Sequence, residues 1–246
     1  MTNIAWAVTG GGSYIRELAE GFLRLKKKYS LKITIFASKW GYEVARIYGV
    51  LHLLKEISPG GYYEELLVGD KGFYYIGRFN MKRYKLLVLA PATANTVAKI
   101  VYGIADTLPT AVFAQATKSD VPVIILPTDL PGPDGYAVSY TPCYVDQSTC
   151  MYRIEENCPP VSHCPVNALE IVDGAVRIDL SKCIGCMECT RYCKYNAIKC
   201  WEEIKVRPRK LDVENIMKLK SISGVKVVSS PNSLFSEIEK ILNEIT

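Results

Sequence analysis

All nine cysteines of this 246-residue chain fall between Cys143 and Cys200, with none before and none after. Soft ligands confined to one short stretch mark a small unit built around them, attached to a larger fold that uses none. The stretch contains Cys183, Cys186, Cys189 and Cys193 in the spacing C-x2-C-x2-C-x3-C. Two-residue gaps let one tight loop point three thiolates at three corners of an iron–sulfur cubane, while the fourth cysteine is aimed at a different cluster. A zinc site with four cysteines is the alternative, but such sites pair two short knuckles and do not use this run. The start, MTNIAWAVTGGG, has no basic region ahead of its short apolar run, and no stretch approaches the length of a membrane span. A cytoplasmic protein is expected, and there structural disulfides are rare.

The run needs a partner motif, and one precedes it. Cys164-Pro165-Val166-Asn167-Ala168-Leu169 mirrors Cys193-Lys194-Tyr195-Asn196-Ala197-Ile198, both reading C-x-x-N-A-(Leu/Ile). Between them ALEIVDGAVRID forms two short apolar runs around Asp173-Gly174, a strong hairpin signal. The expected assignment is two [4Fe–4S] clusters. Cys164, Cys183, Cys186 and Cys189 hold one. Cys193 joins Cys143, Cys150 and Cys158, by count, to hold the other. Cys200 is left as a free thiol, and His163 is read as a plain loop histidine.

The rest of the chain reads as α/β. Asn3–Val8, Lys32–Ala37, Lys85–Ala90 and Val121–Leu126 are continuous apolar runs separated by helical patterns, as in a doubly wound parallel (Rossmann-like) sheet. A further short strand is expected over Phe73–Ile76. The tail continues the scheme with a helix over Val213–Leu219, a strand over Val225–Val228 and a last helix from Pro231. The expected organisation is one domain from residues 1–140 plus 207–246, with a small α+β ferredoxin-like domain, 141–206, inserted. The net charge of +5 includes no arginine-rich stripe with interleaved aromatics, which argues against a nucleic-acid partner.

After the first strand comes Gly10-Gly11-Gly12-Ser13-Tyr14. Glycines followed by a hydroxyl at a helix start form an anion site, and Ser13 is expected to cap that helix. The turn lacks the G-x-G-x-x-G spacing of dinucleotide sites, so a monophosphate is the better fit. Ser38 ends the second strand at the same crevice. The third apolar strand runs into Pro91-Ala92-Thr93-Ala94-Asn95-Thr96.

PATANT after a buried strand resembles the PASANT motif of the homo-oligomeric flavin-containing cysteine decarboxylase superfamily, as do the glycine–serine turn and Ser38. The resemblance implies FMN, with Gly10, Gly11, Ser13 and Ser38 at its phosphate and ribityl chain. Ala92, Thr93, Asn95, Thr96, Ala114 and Gln115 would line its ring. Two departures speak against decarboxylation. The only histidine between the second strand and PATANT is His52, in an apolar setting that reads as packing. Pro127-Thr128-Asp129 stands where the decarboxylases have proline–methionine–asparagine. With the cysteine segment included, the whole chain resembles the archaeal iron–sulfur flavoproteins that include dihydromethanopterin reductase (acceptor). That resemblance implies electron flow from a ferredoxin or other donor through the clusters to FMN and on to an oxidised pterin, in a homotrimer or assembly of trimers. The alternative is an electron-transfer module serving a protein partner. Tyr74, Tyr75, Asp129 and Tyr136 are the candidate proton donors, and no catalytic residue is assigned.

Overall fold

The computed structural model describes residues 1–245. Six parallel strands form the central sheet in the order β12-β5-β4-β1-β2-β3. In chain order the front elements are β1 (Asn3–Val8), α1 (Ile15–Tyr29), β2 (Lys32–Ala37), α2 (Lys39–Ile47), α3 (Leu51–Ile57) and β3 (Leu66–Val68). A 3-10 turn (Gly69–Tyr75) and α4 (Gly77–Asn80) lead to β4 (Leu87–Ala92), α5 (Ala94–Val101), α6 (Leu108–Lys118) and β5 (Val123–Pro127). The strands are apolar along their whole length because both faces are covered. On β1, Ile4, Trp6 and Val8 face the core under α1 and α3, and Ala5 and Ala7 face the core under α5 and α6. Trp6 stacks on Phe22 at 4.2 Å. Its indole N–H donates to the Ala90 carbonyl at 2.6 Å, so the largest buried side chain leaves no polar atom unpaired.

The cysteine segment is a branch that leaves this sheet and returns to it. Past β5, β6 (Ala137–Tyr140) and β7 (Tyr144–Val145) lead out, followed by α7 (Tyr152–Glu155) and α8 (Pro159–Ser162). The hairpin β8 (Leu169–Val172) and β9 (Ala175–Ile178) turns at Asp173 and Gly174, both with positive φ. Then come α9 (Glu188–Tyr192), β10 (Ile198–Lys199) and β11 (Glu203–Val206). β11 pairs antiparallel with β6, and β10 with β7, so outgoing and returning chains form one ribbon. The tail supplies α10 (Lys210–Lys220), β12 (Val225–Val227), which extends the main sheet beside β5, and α11 (Pro231–Ile245). Phe235 of α11 fills the space that a side chain at Gly21 would need and meets Phe22 edge-on. Among the described residues no helix is long and apolar enough to cross a membrane.

Two local expectations fail. Phe73–Ile76 is not a strand; the edge strand is Leu66–Val68, and Phe73 and Tyr75 pack from the 3-10 turn onto the sheet. Ser13 does not cap α1: Tyr14 takes the cap position in the left-handed region and provides no side-chain cap bond.

Beneath the β3 edge, Arg78 pairs with Glu65 through two hydrogen bonds of 2.8 and 3.0 Å, and Tyr84 donates to Thr34 at 3.0 Å beside them. Burial alone would raise the Glu65 carboxyl, but the Arg78 guanidinium outweighs it and holds the group below the ordinary carboxylate range. The resulting stability is present above the unfolded-state value of about 4.5 and drains as pH falls through the lowered folded value. Glu65→Gln strands the buried guanidinium at every pH and should cost roughly 2–3 kcal/mol, read from urea unfolding at neutral pH. The variant should also lose less of its remaining stability than the parent between neutral pH and about pH 4.

Candidate cofactor sites

The strand order reverses between β1 and β4, and ligands of open α/β sheets bind at the carboxyl ends of the strands at such a point. Here the crevice is closed by a threonine just past β1. The Thr9 hydroxyl donates to the Pro91 carbonyl at 2.6 Å and accepts from the Thr93 N–H at 3.0 Å, which fixes the PATANT turn against the glycine turn. Thr93 caps α5, accepting from the Thr96 N–H, and Ser38 caps α2, accepting from Gly41 N–H at 2.9 Å. Among the described residues the N–H groups of Gly11, Gly12 and Ser13 have no acceptor. Unpaired amides at the start of a helix suit an anion such as a terminal phosphate. Gly11 is boxed in: a Cβ there would lie 2.7 Å from Thr128 Cγ2 and 3.4 Å from Thr93 Cγ2. At Gly10 a Cβ would meet Trp40 Cβ at 2.9 Å. The result is a glycine-floored turn rimmed by hydroxyls, with its amides free to bind an anion.

Gly10, Gly11, Ser13, Ser38, Ala92, Thr93, Asn95 and Thr96 all lie at this carboxyl end of the sheet, on β4 or on the turns and first helical residues after β1, β2 and β4. The Ser13 hydroxyl sits 3.3 Å from that of Ser139 on β6, so the glycine turn touches the ribbon. Ala114 and Gln115 do not join the crevice within one chain. They lie in the second half of α6, close to where Val121 N–H returns to the Ala116 carbonyl before β5 begins, at the opposite end of the strands. The resemblance supplied these two residues without fixing their register. Thr9 was missed, although a threonine directly after a wholly apolar strand is a visible signal. Among the candidate proton donors, Asp129 accepts from the Thr128 hydroxyl at the crevice end of β5, whereas Tyr74 is 90% exposed beyond the β3 edge.

In the cysteine unit the repeated C-x-x-N-A motif has a structural meaning. Asn167 and Asn196 both adopt the left-handed conformation, near φ 50°, which asparagine tolerates better than most residues. This turns the Ala168 and Ala197 N–H groups onto Cys164 Sγ at 3.2 Å and Cys193 Sγ at 3.3 Å. Such N–H···S bonds stabilise thiolate charge and tune a bound cluster. Cys183, Cys186 and Cys164 surround Cys189. Burial, then the charge of these neighbours, pushes the Cys189 thiol up to about 11. Cys150 and Cys193 likewise neighbour Cys158, whose thiol is raised chiefly by burial. No three His, Cys, Asp or Glu side chains among the described residues converge tightly enough for a single ion. A cubane asks instead for one thiolate at each of its separated corners.

Cys143 departs from the expected ligand set. It is buried and disulfide-bonded to Cys200, the next cross-strand pair beyond Tyr144–Lys199 on the β7–β10 ladder, so Cys200 is not a free thiol. Counting cysteines could not reveal this, because the pairing depends on strand register. His163 is an exposed loop residue stacked on Tyr192 at 3.8 Å. His52 is exposed on α3 rather than packed, and with Arg16, Lys55 and Trp201 it lines a hollow that reaches Cys186.

Comparison with known proteins agrees with both halves of the site. Residues 1–134 match the flavoprotein family, and residues 176–199 match the 4Fe-4S binding domain. A dihydromethanopterin reductase (acceptor) from Methanosarcina mazei is 38% identical over 94% of this chain and 96% of its own length. Its namesake from Methanocaldococcus jannaschii is 40% identical over 93% and 92%. In fold, the chain resembles FMN-bound DmrB of Burkholderia xenovorans, described as a cubic protein cage for redox transfer. That match has a TM-score of 0.62 and 22% identity, covering 99% of this chain and 97% of the other. HAL3 of Cryptococcus neoformans follows at 0.51 and 14%, covering 99% and 97%.

Gly11→Ala should weaken FMN binding by roughly tenfold or more, because the added methyl forces Thr128 or Thr93 into the cradle. Titration of flavin fluorescence against the stripped protein measures this, with Gly77→Ala, an open helix position of ordinary φ, as the control.

Proposed function

Because this chain belongs to the flavoprotein family that includes the dihydromethanopterin reductases (acceptor), we propose that it passes electrons from a reduced donor through two iron–sulfur clusters to FMN and on to an oxidised pterin. The reaction would convert 7,8-dihydromethanopterin to tetrahydromethanopterin. Clusters exchange single electrons and flavin works with one or two, so together they supply two-electron reduction of an organic acceptor from one-electron donors.

The observation that carries this reading is how the cysteine unit is joined to the crevice. Arg46 near the end of α2 donates to the carbonyls of Cys183 and Leu180, and its charge is balanced by Glu43 at 2.7 Å. Gly49 and Gly185, both at positive φ, touch backbone to backbone, and a side chain on either would collide with the other loop. α2 therefore carries Ser38 of the crevice at its start and the Cys183 loop near its end. Trp201 reinforces the joint. Arg16 stacks 3.6 Å over its ring, and the ring lines one hollow with Gly12 and Tyr48 and another with Gly185 and Cys186.

In this reading residues 141–206 are an inserted ferredoxin-like domain in a flavin domain of residues 1–140 and 207–246. Cys164, Cys183, Cys186 and Cys189 hold the cluster beside α2, and Cys150, Cys158 and Cys193 hold the outer one. The glycine turn, Ser13 and Ser38 hold the FMN phosphate, and Ala92, Thr93, Asn95 and Thr96 face its ring. Asp129, which accepts from the Thr128 hydroxyl at the crevice end of β5, is the candidate donor placed nearest the ring. Trp40 is 67% exposed beside Gly10, an apolar rim that supports a trimer with FMN near the subunit contact. The donor is a ferredoxin-like protein or another one-electron carrier.

The test is anaerobic oxidation of a reduced viologen by the purified protein. Oxidation should depend on dihydropterin, with about two dye molecules oxidised per pterin reduced, since each dye carries one electron. Indifference to pterins, with rapid electron exchange with a ferredoxin, would replace the reductase by an electron-transfer module. Light scattering that shows a monomer with full flavin occupancy would remove the trimer.

A further inference from the structure

The two halves of the cysteine unit correspond residue by residue, and the correspondence breaks at one place. Asp146 matches Asp179. Each carboxylate accepts a serine N–H at 2.9 Å and the same serine's hydroxyl at 2.6 Å, from Ser148 and Ser181 respectively. Each aspartate carbonyl then accepts a cysteine N–H, from Cys150 at 3.1 Å and Cys183 at 2.9 Å. Each Asp N–H reaches across to the other half, Asp146 to the Ala197 carbonyl and Asp179 to the Ala168 carbonyl, both at 2.7 Å. At the far end Cys164 matches Cys193 through the left-handed asparagines and the N–H···S bonds. The two halves are thus pinned to each other at both ends.

Between these fixed points the second half has two cysteines, Cys186 and Cys189, and the first half has one, Cys158. Cys189 lies in α9, one helical turn before Cys193. The residue at the same offset before Cys164 is Pro160, buried in α8, which packs on α9. Cys150, Cys158 and Cys193 line one hollow together with Pro159, Pro160 and Tyr192. Among the described residues no carboxylate or imidazole lines it. Cys143, the thiol that counting would have supplied, is bonded to Cys200 on the ribbon and is not in this hollow. A four-thiolate cubane therefore does not fit the second site.

We propose that the outer cluster is held by three cysteines, Cys150, Cys158 and Cys193, and is a three-iron, four-sulfide centre, with Pro160 at the corner that carries Cys189 in the other half. Every iron in such a centre has one thiolate, and the corner facing the proline has no iron to ligate. The inference rests on the two-cluster reading above.

The test uses the whole protein, purified anaerobically and incubated with excess ferrous iron and sulfide. Chemical analysis should give about seven irons and about eight sulfides per chain. The oxidised sample should show a paramagnetic signal by electron paramagnetic resonance, integrating to about one spin, because an oxidised three-iron centre has an odd electron count and an oxidised four-iron cubane is diamagnetic. Pro160→Cys should raise the iron to about eight and abolish the oxidised-state signal. If that variant does not fold, Cys158→Ser serves instead: it should remove the oxidised-state signal while the inner cluster keeps its reduced-state spectrum and about four irons. Cys143→Ser should change neither measurement. About eight irons with a silent oxidised spectrum in the parent would overturn the three-iron assignment and leave two clusters standing. So would loss of outer-cluster iron in Cys143→Ser. About four irons in the parent, with the inner cluster intact, would overturn the inference together with the two-cluster reading.

Discussion

The pairing of β6 with β11 is the constraint on which the arrangement of the molecule depends. A chain that leaves a sheet to build a second unit must return to the point of departure, or the last strand and helix cannot complete the first core. Four consecutive residue pairs, from Ala137–Val206 to Tyr140–Glu203, close that loop. With the ends so fixed, β12 reaches its place beside β5 and Phe235 reaches the space left by Gly21. The ribbon also carries function at its base. Ser139 meets Ser13 of the glycine turn, and the Tyr48 hydroxyl donates to the Tyr140 carbonyl. The cysteine unit is thus attached at the lip of the crevice rather than at an arbitrary surface loop.

The glycine turn and the cysteine unit use the same device, a backbone turn that presents N–H groups suited to negative charge. In the crevice the turn is Gly11–Ser13, with glycine required by the close approach of Thr128. In the cysteine unit it is the asparagine turn, which delivers one N–H to sulfur in each half. Side chains play the locking role: Thr9 holds PATANT, and Arg46 holds the Cys183 loop.

What could be read from the sequence follows from how local each signal is. Strands buried on both faces are continuous apolar runs, so β1, β2, β4 and β5 were legible, as was the Asp173-Gly174 hairpin. β3 was not, because an edge strand of three residues leaves too short a pattern. That Cys164, Cys183, Cys186 and Cys189 come together was legible, because one short run and one repeat define them. Cys143 was not, because its partner is set by the register of a ribbon whose strands lie 57 residues apart. His52 looked like a packing residue among leucines, yet helical phase turns it outward between Leu51 and Leu54. Ala114 and Gln115 come from resemblance alone, and within one chain α6 carries them away from the crevice end of the strands.

One consequence of α2 reaches beyond its role as a connector. Its nine residues span about 13 Å, with the Ser38 cap at one end and Arg46 near the other. A regular helix neither stretches nor slips under thermal motion as a loop does, so it acts as a ruler between the glycine-turn crevice and the Cys183 loop. Lengthening it by one residue would rotate Arg46 by about 100° around the axis and swing it away from the Cys183 loop. The length of α2 is therefore the dimension that fixes the reach from the Ser38 turn to the Cys183 loop.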